Sequence, residues 1–155
     1  MALPQDLVRE FDELVKNYPE RRAALIMALH RCQETSGWIS PDTMEDLAAY
    51  FGLEPVEVYG VASFYPMFHL RPVGRHVVSI CHNISCDLRG AQDVIAQVCK
   101  ITGAPLHGTS QDGRWTVKTA ECAGACANAP MFDLDGVYHE DLDTDKVAKI
   151  LGSVK

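Results

Sequence analysis

The sequence predicts an α/β protein in two parts, a small helical bundle over residues 1–74 and a domain of strands and helices over residues 75–155. Three observations predict it. Up to about residue 62, apolar residues recur at spacings of three and four, the period of helices with one buried face. From residue 75 the pattern changes to short β-branched runs around one helical stretch. Between them, Arg71-Pro72-Val73-Gly74 suits neither pattern. A chain of 155 residues, 47% apolar and 23% charged, has the composition of a folded globular protein. If compact, it buries roughly 70% of its unfolded surface.

Each element has its own signal. Leu3, Leu7, Phe11, Leu14, Val15 and Tyr18 mark an amphipathic helix over residues 3–18. Pro19 suits the first turn of a second helix, which carries Leu25, Ile26, Leu29 and Cys32 on one side and ends at Gly37, a C-terminal cap. Ser40-Pro41 opens a third helix with an N-cap and a first-turn proline. Its inner face is Met44, Leu47, Ala48 and Phe51, and Gly52 stops it. Glu54-Pro55 starts a short fourth helix through Val56, Val58 and Tyr59. Phe64, Tyr65 and Phe68 follow in an aromatic-rich segment, expected to pin the helices against what comes next.

In the second part, His76 to Ile80 reads as a strand that runs directly into Cys81. Residues 91–102 read as a helix with Val94, Ile95, Val98 and Ile101 inward, ended by Gly103-Ala104-Pro105. Trp115 to Ala120 is a second strand, running directly into Cys122. Met131 to Leu134, the turn Asp135-Gly136 and Val137 to His139 form a hairpin signal. Asp143 caps a last helix through Val147, Ile150 and Leu151. A strand–helix–strand unit implies a right-handed crossover and two parallel strands. Their carboxyl ends share one edge, where open α/β sheets place their sites. The pairs Cys81/Cys86 and Cys122/Cys126 each follow one of these strands, so residues far apart in sequence are expected to meet.

Composition excludes several classes. The longest apolar run, residues 23–29, is far too short to span a bilayer, so no direct membrane insertion is expected. With no charged-then-apolar leader visible, the expected place is the cytoplasm or the cytoplasmic face of a membrane. Net charge is −7, with no cluster of Lys or Arg, which argues against nucleic acid. Six cysteines in a reducing compartment point to metal or redox chemistry rather than structural disulfides. Cys32 and Cys99 stand apart on apolar helical faces and read as buried small hydrophobes.

The remaining four thiols read C-x4-C, then C-x3-C. Such a set admits zinc or an iron–sulfur cluster. Structural zinc usually draws each pair from a tighter knuckle, whereas a 2Fe-2S rhomb takes two ligands per iron. Arg89 stands where a plant-type ferredoxin places its third cysteine, and His82 adjoins Cys81 rather than forming the C-x-H of a Rieske centre. There is no C-x-x-C for a thioredoxin-type enzyme, no G-x-G-x-x-G and no P-loop, so no nucleotide-binding signal is visible. A chain able to hold electrons but not to take a hydride implies a flavin- or nicotinamide-binding partner.

The chain resembles the 24-kDa (E-type) 2Fe-2S subunits of respiratory NADH:quinone oxidoreductase, complex I, and their counterparts in NAD-linked hydrogenases and formate dehydrogenases. The stretches that carry the resemblance are Gly60 to Tyr65, Ile80-Cys81 through Cys86 with Gly90, and Glu121 to Cys126 followed by Ala129-Pro130. Ala123 departs from the leucine usual in the family. The resemblance implies a thioredoxin-like 2Fe-2S ferredoxin domain over residues 75–155, with one 2Fe-2S cluster held by Cys81, Cys86, Cys122 and Cys126. It also implies a heterodimer, within a larger complex, with a 51-kDa (F-type) subunit that holds FMN and oxidises NADH. The chemistry implied is one-electron transfer with no acid, base or nucleophile on this chain.

Overall fold

The computed structural model of the chain describes residues 3–154. They form two compact units, and the chain passes from one to the other between Pro72 and Val73.

The first unit is helical. Helix α1 (Gln5–Leu14) continues into a 3-10 turn, Val15–Asn17, so the helix expected over residues 3–18 is α-helical only in its middle. Pro19 does not open the next helix as expected. Tyr18 before it and Glu20 after it are both extended, as the residue preceding a proline tends to be. A separate 3-10 turn, Arg21–Ala24, then leads into α2 (Leu25–Ser36). Helix α3 (Pro41–Phe51) begins at Ser40, whose hydroxyl accepts the Thr43 N–H at 3.1 Å. Helix α4 (Pro55–Phe64) begins with a reciprocal box between Glu54 and Glu57, which satisfies two otherwise orphaned donors. Phe11, Leu29, Ile39, Leu47 and Val58 are fully buried at the centre.

Helix α4 buries Val58 and Ala62 and leaves Val56, Tyr59 and Phe64 exposed. Phe64 therefore does not pin the bundle. Its ring meets that of Tyr65, edge-on at 5.0 Å, while Phe68 is buried. Cys32 lies buried in the core, as its apolar neighbours imply.

The second unit is a five-stranded sheet in the order β2-β3-β1-β4-β5. Strand β1 (His76–Cys81) runs parallel to β3 (Trp115–Ala120) and antiparallel to β4 (Phe132–Leu134). Strands β2 (Gly108–Thr109) and β5 (Val137–His139) add antiparallel edges. Val78, Ile80, Val117 and Phe132 form one face of the sheet, packed with Val94 and Val98 of α6 (Ala91–Thr102) and Val147 and Leu151 of α7 (Thr144–Ser153). Ile101, expected inside, is exposed. The inner position belongs to Thr102, four residues beyond Val98 and so on the same face. Its hydroxyl donates to the Val98 carbonyl at 2.8 Å. Cys99 is half-buried rather than buried.

Gly74, just before β1, has to be glycine. A Cβ there would lie 2.8 Å from the Trp115 nitrogen, closer than real contacts allow. Its N–H donates to the buried Thr116 hydroxyl at 2.7 Å, tying the start of β1 to β3. Among the described residues no helix is long and apolar enough to cross a membrane.

Candidate metal centre

The parallel ladder sets the site. Cys81 ends β1 directly opposite Ala120, the last residue of β3. The His82 N–H donates to the Ala120 carbonyl at 3.2 Å, so the two chains leave the sheet side by side. Sequence reasoning anticipated this meeting. It missed α5 (Ile84–Leu88), a single turn that carries Cys86. Asn83 caps α5, its side chain accepting the Ile84 N–H at 2.8 Å. With Ile84 and Leu88 both exposed, α5 shows no buried stripe that a sequence pattern could reveal. Its only signal is the capping asparagine.

The second loop leaves β3 at Ala120 and closes with a 3-10 turn, Cys126–Asn128. Gly124 within it has φ +82°, a conformation that glycine adopts without strain. The Gly124 N–H points at the Cys122 sulfur, 3.4 Å away, and the Cys122 and Cys126 sulfurs are 3.9 Å apart.

The structure places all four predicted thiols at the same end of the sheet. The Cys86 and Cys122 side chains both act to lower the Cys81 thiol, and the charges of Cys81 and Cys126 act to raise Cys86. Cys81 and Cys86 are buried, while Cys122 and Cys126 are exposed. Ala91, Ala129 and Met131 complete an apolar pocket around the inner pair, with Ala123 and Ala125 packed against it.

Main-chain amides converge on the sulfurs. Burial opposes ionisation of Cys81, but N–H groups of Asn83 and Ala123 and the neighbouring thiols outweigh it and hold this thiol below its ordinary value. Burial pushes the Cys86 thiol up to about 11, helped by the Cys81 thiol and partly opposed by a Met131 main-chain hydrogen bond. His82 Nε2 lies 3.5 Å from Glu121 Oε1.

The donor set fits an all-thiolate centre. Four soft donors lie as two pairs on two loops, with an apolar wall behind one pair and N–H donors directed at the sulfurs. Among the described residues no three of His, Cys, Asp or Glu are gathered as a site for a single metal ion.

An α/β sheet that holds paired cysteines at the ends of adjacent parallel strands is the arrangement of a thioredoxin-like ferredoxin. The chain belongs to that family: the model for the thioredoxin-like 2Fe-2S ferredoxins matches residues 11–155. The group is accordingly a 2Fe-2S cluster, which decides between the iron–sulfur and zinc readings that spacing leaves open. The second E-type subunit of the NADH-quinone oxidoreductase of Rhizobium meliloti is 34% identical over 146 residues, covering 94% of this chain and 87% of that protein. The E-type subunit of the NADH-quinone oxidoreductase of Rickettsia conorii is also 34% identical, over 93% of this chain and 88% of that one. Among solved structures, an NAD+-reducing NiFe-hydrogenase in its air-oxidized state shares the fold. The TM-score is 0.73 and the identity 22%, over 83% of this chain and 22% of the much longer hydrogenase chain.

Proposed function

We propose that the chain is the 2Fe-2S electron-carrying subunit of an NADH-oxidising complex, in the role of the E-type subunit of respiratory NADH:quinone oxidoreductase, with Cys81, Cys86, Cys122 and Cys126 as the cluster ligands. The observation that carries this is the gathering of those four thiols at one end of a parallel strand pair. The relatives named above supply the setting. When bound, the cluster exchanges one electron at a time. The chain's own residues do three things: they supply four thiolates, they direct N–H groups of Asn83, Ala123 and Gly124 at the sulfurs, and they wall off the inner pair with Ala91, Ala129 and Met131. Hydrogen bonds to sulfur are one of the levers by which a protein sets a cluster's potential.

The electron donor is a flavin-bearing, NADH-binding partner subunit, since the sequence carries no nucleotide-binding motif of its own. The helical part, residues 1–74, and the cluster part, residues 75–155, act as separate domains. The chain is cytoplasmic or, as part of the complex, peripheral on the cytoplasmic face of the inner membrane.

The test is an EPR spectrum of anaerobically purified, dithionite-reduced protein, with iron and sulfide counted. A spin-half signal with two irons and two sulfides per chain is expected, titrating near the roughly −400 mV of all-cysteine ferredoxin clusters. Cys122→Ala abolishes the intact cluster and Cys99→Ala leaves it. Equal loss in both variants refutes the ligand assignment, and a colourless protein with stoichiometric zinc refutes the electron-transfer role.

A further inference from the structure

We propose that Glu140 is a positioning residue for the cluster: it holds Asn128, and through it the loop that carries Cys122 and Cys126. The inference rests on the reading of those two cysteines as ligands. It starts from how weakly that loop is held by itself. Between Ala120 and Ala129 its own contacts among the described residues include the Gly124 N–H to the Cys122 sulfur, the Cys122 and Cys126 sulfurs at 3.9 Å, and the Asn128 N–H to the Ala125 carbonyl at 3.0 Å. Ala123 and Ala125 pack against the inner pocket; Cys122, Gly124, Cys126, Ala127 and Asn128 are all exposed, so packing holds the middle of the loop and not its last turn.

The loop's first end is fixed by β3. Its last end is fixed at Asn128, two residues after Cys126, by two hydrogen bonds from the segment between β5 and α7. The Asn128 side-chain amide donates to Glu140 Oε2 at 2.7 Å, and the Asn128 carbonyl accepts the Asp141 N–H, also at 2.7 Å. Directly behind, the Leu142 N–H donates to the Pro130 carbonyl at 3.0 Å.

The segment doing the holding is itself anchored. Asp141 adopts φ +50°, its carbonyl takes the Lys146 ammonium at 2.6 Å, and Leu142 is buried. Asp143 then caps α7. The capped start of α7 thus reaches the outer ligand loop at Asn128, by one main-chain bond from Asp141 and one side-chain pair, Glu140 and Asn128. The pair leaves every ligand untouched, so its effect falls on where Cys126 sits and how often the loop opens.

Four full-length variants test this: Glu140→Ala, Glu140→Gln, Asn128→Ala and the Glu140→Ala/Asn128→Ala double. Glu140→Ala and Asn128→Ala each speed the loss of iron to a chelator several-fold and change the EPR line shape in the same way. The double variant is no worse than either single, as two halves of one contact require. Glu140→Gln keeps an acceptor oxygen and restores most of the wild-type behaviour. Chelation rate and line shape unchanged in Glu140→Ala, or additive effects in the double, would overturn the proposal. Hydrogen exchange on the metal-free chains gives a second readout: amides of residues 122–129 exchange faster in Glu140→Ala while those of β1 and β3 do not. Equal exchange with wild type overturns the brace. An iron-free wild type overturns the cluster reading instead, and the exchange comparison then decides the brace on its own.

Discussion

Met131 ties the inner half of the site to the sheet, and Met131→Ala separates what its side chain does from what its backbone does. Its carbonyl accepts the Cys81 N–H at 3.2 Å, and its main chain hydrogen-bonds the Cys86 thiol. Both contacts survive the substitution. The side chain is fully buried against Cys81, Cys86, Ala91 and Ala129, and truncating a buried methionine costs about 2–5 kcal/mol, including the cavity left behind. The small alanines around it can do little to fill the space, so about 3 kcal/mol is expected. For a unit of this size each kcal/mol moves the midpoint by about 4–8 °C, which puts the drop at roughly 10–25 °C. The assay is thermal unfolding of the metal-free chain followed by tryptophan fluorescence. Trp115 is buried in the second unit, and a Trp38→Phe background removes the other tryptophan so that the signal reports this unit alone. Met131→Leu keeps the volume and is expected to cost less than about 1.5 kcal/mol. If Met131→Ala shifts the midpoint by no more than Met131→Leu, the pocket is not packed as described and the reasoning fails.

Two further outcomes are expected. Asp143 accepts the Lys146 N–H at 2.7 Å at the start of α7, and Asp143→Ala should cost about 1 kcal/mol, measured by urea unfolding, while Asp145→Ala, at the second residue of the helix, costs less. Burial, and then the charge of Asp46, push the Cys32 thiol up to about 11, against 9.0 for a free thiol. The folded state therefore favours the protonated form. Its contribution is intact below about pH 9 and is lost as pH rises from about 9 through 11. Cys32→Ala should flatten the alkaline limb of a stability-against-pH profile, and an unchanged limb would refute the assignment.

Much of the fold and the candidate site was legible because its signals are periodic or punctuated. Val78 and Ile80 in β1 and Val117 in β3 announce strands, and a helix between two strands fixes their parallel sense. The cysteines follow those strands immediately, so their convergence needed no knowledge of side-chain contacts. What escaped reading lacks a buried stripe. Helix α5 turns Ile84 and Leu88 to solvent, and β2 is two residues whose pairing depends on β3. Ile101 and Phe64 look like core by hydrophobicity but fall on outward faces, where the phase of the helix outranks the character of the residue. The Glu140–Asn128 contact joins two ordinary polar residues across a hairpin, and nothing in their identity marks them as partners. The amides of Asn83, Ala123 and Gly124 are invisible for another reason: every residue but proline has one.

The register between β1 and β3 also decides which distances along the chain matter. Cys81 and Ala120 face each other because the ladder aligns them, whatever the length of chain that loops between. The 35 residues separating Cys86 from Cys122 form a closed excursion that returns to a fixed seat. Extra residues in the connection after α6 would lengthen the journey without moving the destination. One residue added between Cys81 and Cys86, or between Cys122 and Cys126, has no ladder to absorb it. Tolerance to insertion is therefore sharply uneven: wide between the pairs and absent within them.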